Sequence, residues 1–195
     1  MPAIKRETLW TLERYAKERP QFRARVMEHK KHRTVRLGEH LTLIFEDELT
    51  VRYQIQEMLR TERLFEEEAI CAELDAYNPL VPDGSNWKAT MMIEYADSAE
   101  RQGMLAKLIG VEDRVWVQPQ SCSRVYAIAD EDLARENEEK TSSVHFLRFE
   151  FAPAMRETIL RGAQISIGVD HPAYSASIDS LDAPLADSLR QDLGT

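Results

Sequence analysis

Three carboxylates, Glu62, Glu66 and Glu73, stand among apolar residues in the stretch 45–78. If that stretch is one unbroken helix, all three fall inside its apolar stripe, with Glu62 and Glu66 one turn apart. A carboxylate taken out of water without a partner costs several kcal/mol, so it must be protonated, paired with a cation or bound to a metal. With a nitrogen from His145 or His171 the three would form a mainly oxygen ligand set suited to iron, manganese or zinc. Without a metal, carboxyls in an apolar setting have raised pKa values and can serve as general acids. A break in the helix, or pairing with Arg60 or Arg63, would turn the same glutamates into surface charges.

Other chemistries are harder to place. No Glu-x-x-His pair of the di-iron bundle type lies on an expected helix. His145 beside Leu147 and Phe149 also suits a neutral core histidine, and Asp170-His171-Pro172 suits a turn. There is no Gly-rich phosphate loop, no Gly-x-Ser-x-Gly elbow and no His-Glu-x-x-His. The two cysteines, Cys71 and Cys122, are far apart and read as reduced thiols, which leaves no cysteine-built zinc or iron–sulfur site. No Ser or Cys has a recognisable base partner.

Charge offers a second kind of site. Residues 1–36 hold 11 Lys and Arg against 4 Asp and Glu, so residues 37–195 must carry −16 to give the chain its net −9. The basic run contains Arg23, Arg25, Lys30, Lys31 and Arg33, which could dock an acidic partner or lie on the chain's own acidic surface. Nucleic-acid binding through 23–36 is the weaker alternative. Only Phe22, at the edge of the segment, could stack on a base, and the acidic remainder would repel a polyanion.

The elements that must hold these groups follow from periodicity. Val51, Ile55, Met58, Leu59, Phe65 and Ala69 recur at threes and fours, predicting a long central helix over about 50–76. Asp47 or Thr50 caps its start, and Asn78-Pro79 ends it. Residues 6–19 predict an amphipathic helix, with Leu9, Leu12, Tyr15 and Ala16 inward, closed by Arg19-Pro20; residues 22–29 predict a second short one. Residues 34–37 and 41–45 form a hairpin candidate across Gly38. Residues 87–95 read as a strand with Ala89, Met91 and Ile93 on one face. Asp97 opens a helix that turns Met104, Leu105, Leu108 and Ile109 inward and stops at Gly110.

Residues 114–117 and 124–128 predict paired strands, and 130–140 a solvated helix or loop. Residues 143–151 predict a central strand with His145, Leu147, Phe149 and Phe151 on one face. A short helix from Pro153, a last strand through Ile165, Ile167 and Val169, a small polar tail and a terminal helix over 183–193 complete the chain. This order argues α+β, with a largely antiparallel sheet packed by the central helix and shorter helices. The 195 residues make a single domain, with a basic N-terminal helical segment 1–36 and a short C-terminal tail 172–195. No apolar run reaches bilayer length and the start shows no export signal, which points to the cytoplasm and away from a membrane.

One further signal lies in the run Thr50-Val51-Arg52-Tyr53-Gln54-Ile55-Gln56-Glu57-Met58-Leu59-Arg60, with Glu73-Leu74-Asp75-Ala76-Tyr77-Asn78-Pro79-Leu80-Val81-Pro82 and His145-Phe146-Leu147-Arg148-Phe149. Over nearly the whole chain these residues resemble a bacterial family known only as a domain of unknown function. The resemblance assigns no activity. It implies a genomic context near rubrerythrin-type proteins and iron–sulfur oxidoreductases, hence redox or peroxide defence. The first expectation is therefore an accessory protein that docks a rubrerythrin-type or iron–sulfur partner through the basic segment. The second is a metal-dependent enzyme or metal-binding protein built on Glu62, Glu66 and Glu73. A small-molecule pocket between helix and sheet is a third, with no residue signature.

Overall fold

Alternation along the strands decides how this chain folds. In the computed structural model, which describes residues 3–129 and 141–194, every stretch that alternates apolar and polar side chains is a strand with its apolar set turned inward. The segment 130–140, expected as a helix or loop, lies outside the described residues. In chain order, α1 (Leu12–Lys31) leads into a hairpin of β1 (Thr34–Leu37) and β2 (Leu41–Glu46). Helices α2 (Glu48–Glu62) and α3 (Glu67–Tyr77) follow, then β3 (Asn86–Ile93) and α4 (Ser98–Lys107). After β4 (Val115–Pro119), β5 (Val125–Tyr126) and β6 (Val144–Glu150) come α5 (Pro153–Leu160), β7 (Ile165–His171), β8 (Tyr174–Ile178) and α6 (Ala183–Arg190).

The fold is α+β, with two antiparallel four-stranded sheets ordered β1-β2-β3-β6 and β5-β4-β7-β8. Leu43, Phe45, Trp87, Met91, Leu147 and Phe149 of the first sheet share one core with Val115, Val117, Ile165, Ile167 and Val169 of the second. Each such side chain contributes about 1.5–3 kcal/mol when removed from water. Trp87, fully buried, donates its indole N–H to the Leu189 carbonyl at 2.9 Å and so fastens α6 to this core. Gly38 makes the β1–β2 turn with φ +69°, and a Cβ there would meet the Tyr174 hydroxyl at 2.5 Å. That hydroxyl donates to Leu37 O at 2.6 Å, tying the turn to β8.

The helices cover the other face of the first sheet. Val51, Ile55 and Leu59 of α2 pack with Ile70 and Leu74 of α3, and Phe146 of β6 closes against them. The expected helix over 50–76 is thus two helices, because a single rod could not fold Ile70 and Leu74 back onto Ile55 and Leu59. Arg63 makes the turn in the left-handed region (φ 54°), and Phe65 is left 71% exposed. Among the described residues, no helix is long and apolar enough to cross a membrane.

Several other expectations are revised. Residues 12–31 form one helix that contains Pro20, although a proline removes an i→i−4 bond at a cost of about 3 kcal/mol. Tertiary packing on both sides of the proline outweighs that cost. Tyr15 and Phe22 pack on each other, Phe22 reaches Tyr53 of α2, and Glu57 accepts from the Tyr15 hydroxyl at 2.6 Å and from Arg19 at 2.7 Å. Ala16, expected inward, is exposed on this helix. Ile109 is exposed too, since α4 stops at Lys107. The β6 strand ends its sheet's order instead of sitting centrally, and Ile128 and Arg148 exchange two backbone hydrogen bonds along its far edge. The small polar stretch 174–178 is a strand paired with β7.

Candidate functional site

The outward face of the first sheet builds the site. On β2 the residues opposite the core are Thr42, Ile44 and Glu46; on β3 they are Lys88, Thr90 and Met92; on β6 they are Val144, Phe146 and Arg148. The register aligns Ile44, Thr90 and Phe146 in one row, with Glu46, Lys88 and Arg148 in the next. Above these rows lie Thr50, Val51 and Gln54 of α2, Tyr77 at the end of α3, Leu80 and Lys30 of α1, enclosing a cavity of about 240 Å³.

Its polar groups meet at one end. Glu46, only 9% exposed, accepts from the Thr50 hydroxyl at 2.5 Å and the Thr90 hydroxyl at 2.6 Å, so each carboxylate oxygen holds one charge-assisted bond. Thr50 is in place because it belongs to a capping box: Asp47 accepts from the Thr50 amide at 2.9 Å while the Thr50 hydroxyl accepts from the Asp47 amide. The Asp47 cap read from the sequence is the one the helix uses. Lys30 also lines the cavity and has no ion-pair partner among the described residues. The apolar remainder is Ile44, Val51, Leu80, Met92, Val144 and Phe146.

Behind this cavity runs a buried ionic network. Arg33, 1% exposed, donates from Nε to Phe45 O at 2.8 Å and from Nη2 to Glu46 O at 2.9 Å and to Asp192 Oδ2 at 2.5 Å. Asp47 lies 3.6 Å from the same guanidinium and 2.5 Å from His29. Burial works against the Asp47 carboxylate, but Arg33, the Thr50 amide and His29 outweigh it and hold its pKa below the ordinary value. For Asp192 burial wins over Arg33, and its carboxyl is pushed up to about 6. One guanidinium between two buried carboxylates favours a proton on the more deeply buried of them.

The residues expected to act together are dispersed. Glu62 and Glu66 are exposed at the end of α2 and the start of α3. Glu73 is half-buried on α3; loss of solvent and then the charge of Glu62 raise its pKa, and its Oε2 is buried without a hydrogen-bond partner among the described residues. His145 faces inward from β6, 2.9 Å from the Thr141 hydroxyl and 3.0 Å from Ser142 O. The His171 ring contacts Ile109 O at 3.1 Å and accepts from the Ala173 amide at 3.2 Å. No group of three or more His, Cys, Asp or Glu among the described residues is arranged to hold a metal ion. Of the basic run, Arg23, Arg25 and Lys31 are exposed, Lys30 lines the cavity, and Arg33 is taken up inside the network. Sequence reading missed Glu46, Thr50 and Thr90 as a unit; the outward parity of Glu46 and Thr90 on neighbouring strands was the available signal.

Comparison places this arrangement in a family. The family described as "Protein of unknown function (DUF3501)" matches residues 3–193. The chain belongs to it. A solved structure, a "novel protein of unknown function" from Burkholderia pseudomallei K96243, is similar at 54% identity and a TM-score of 0.94. The match covers 99% of this chain and 100% of that one. No curated protein matches this DUF3501 member.

Proposed function

We propose that this protein binds a small amphipathic organic anion in the cavity between α2 and the outward face of β2, β3 and β6. The observation that carries the reading is the pairing of a largely apolar cleft with a lysine that has no ion-pair partner among the described residues at its wall. The Glu46 carboxylate is held at one end by Thr50 and Thr90, and the cationic group offered to a ligand is the ammonium of Lys30. At roughly 30 Å³ for each water-sized group, 240 Å³ holds about eight non-hydrogen atoms. Hexanoate has that size, with a carboxylate for Lys30 and an alkyl chain for Leu80, Met92 and Phe146. The test is calorimetric titration with hexanoate, and the expected result is saturable binding that weakens at least tenfold in Lys30→Met. Absence of binding, or binding indifferent to Lys30, refutes the reading.

Docking of an acidic, iron-containing protein on α1 is a second reading. It is supported by the exposure of Arg23 and Arg25, which have no ion-pair partner among the described residues, and by the genomic context implied by the resemblance. Association with a rubrerythrin-type protein then weakens with salt and on reversing Arg23 and Arg25 to glutamate. Capture unchanged by that reversal sinks it.

A further inference from the structure

Phe65 is the most exposed large apolar side chain among the described residues. It stands at the turn between α2 and α3, where it lines a groove of about 320 Å³. The buried Leu59 and Ile70 and the half-buried Trp10, Leu12 and Leu64 make up the rest of its apolar lining. A large apolar side chain held in water beside an apolar groove marks a contact surface. At roughly 30 Å³ for each water-sized group, the groove takes about ten non-hydrogen atoms, room for two leucine side chains.

Charge indicates what covers this surface. From 64 to 87 the chain has six carboxylates and no lysine or arginine. On α3, Glu67, Glu68 and Asp75 are exposed among the small side chains of Cys71, Ala72 and Ala76, and Glu66 follows Phe65 directly. Of the cations nearby, Arg6 is paired with Glu67 at 2.9 Å, Arg60 with Glu57 at 3.1 Å, and Arg14 lies over the Trp10 ring. That leaves Lys5 and Arg63 against Glu13, Glu62, Glu66, Glu68 and Asp75, none of which has an ion-pair partner among the described residues.

We infer that the α2–α3 turn docks a cationic amphipathic segment of another protein. The partner's apolar side chains enter the groove beside Phe65, and its lysines or arginines meet Glu62, Glu66 and the outer face of α3. A second copy of this chain fits less well. Its basic helix α1 exposes Ala24 between Arg23 and Arg25 and has no exposed large apolar side chain for the groove. Two chains of net charge −9 also repel each other. The groove shares no lining residue with the cavity at Lys30, so this inference stands apart from the binding reading given above.

Fluorescence anisotropy of the full chain with a labelled amphipathic peptide of leucine and lysine tests it, with a leucine–glutamate peptide of the same pattern as control. The leucine–lysine peptide is expected to bind saturably, the control not at all. Phe65→Ser, which changes an exposed side chain, weakens the complex at least tenfold. Replacing Glu62, Glu66 and Glu68 together by glutamine weakens it at least threefold and makes it less sensitive to salt. Leu160→Ser, an exposed apolar change on α5, leaves the affinity unaltered. Absence of binding, equal binding of the two peptides, or an affinity untouched by Phe65→Ser overturns the inference. Sedimentation showing a dimer that Phe65→Ser dissociates gives the surface to a second copy and overturns it as well.

Discussion

Replacing Arg33 with methionine tests the buried network directly. The side chain is of similar length and apolar, so the change removes the charge and its hydrogen bonds without opening a large cavity. It strands the carbonyls of Phe45 and Glu46, which now receive Nε and Nη2 at 2.8 and 2.9 Å, and it leaves Asp192 and Asp47 without their shared cation. Breaking a buried ion pair from one side costs about 3–5 kcal/mol, because the remaining charge stays desolvated and unmatched. Against a total stability of about 5–15 kcal/mol that is a large share. With a urea dependence of about 2 kcal/mol per molar, the unfolding midpoint falls by roughly 2 M at neutral pH. Arg33→Lys rescues little of this, since a single ammonium cannot reach acceptors on β2, at the Asp47 cap of α2 and beyond α6 at once. A loss below about 1 kcal/mol in Arg33→Met, the size expected of a solvated pair, refutes the network as a structural tie.

Glu57 gives a pH-dependent test. Arg19 above all, with Tyr15 and Arg60, holds its carboxyl down to about 2 from an ordinary 4.5 against the opposing effect of burial. A carboxylate with a depressed pKa adds stability above its unfolded value and loses it as the pH falls through the folded one. Glu57→Gln is therefore less stable than the wild type at neutral pH, and thermal melts of the two converge as the pH drops from about 4.5 toward 2. Two glycines give a contrast readable in the same melts. Gly168→Ala places a Cβ 2.5 Å from the Trp116 ring and 2.8 Å from the Ala176 carbonyl, an overpacking that lowers stability by about 1–3 kcal/mol. Gly103→Ala, inside α4 with nothing within 4 Å of the new Cβ, raises it by about 0.5–1 kcal/mol.

What could be read before folding was whatever depends on near neighbours. The alternation in 41–46, 87–93 and 144–149 and the Asp47 cap are local, and the structure uses them as written. Misreadings arose where distant contacts overrule local preference. Pro20 predicts a helix end, yet Tyr15 and Phe22 are anchored on α2 to either side of it. Arg63 carries no glycine-like signal for the left-handed turn it makes; the turn is imposed by packing α3 on α2. Strand β8 is hidden by Ser175, Ala176 and Ser177, whose pairing is supplied by β7. The candidate site was least legible, because Lys30, Glu46, Thr50, Thr90 and Phe146 come from five elements and meet only in space. Arg33 belongs to the same basic run as Arg23, but the step from α1 into β1 sends it inward.

Asp192 reaches Arg33 across 159 positions of sequence. While the chain is being synthesised, the corner joining α1 to the first hairpin has Asp47 nearby but emerges long before Asp192, its closest counter-charge, exists. The nascent protein therefore carries an incompletely paired guanidinium at a place that must later become dry, and that corner settles only after α6 and Asp192 arrive. Time-resolved refolding should accordingly find the α1–β1 corner around Arg33 among the last parts to gain protection from hydrogen exchange, despite its early place in the polypeptide.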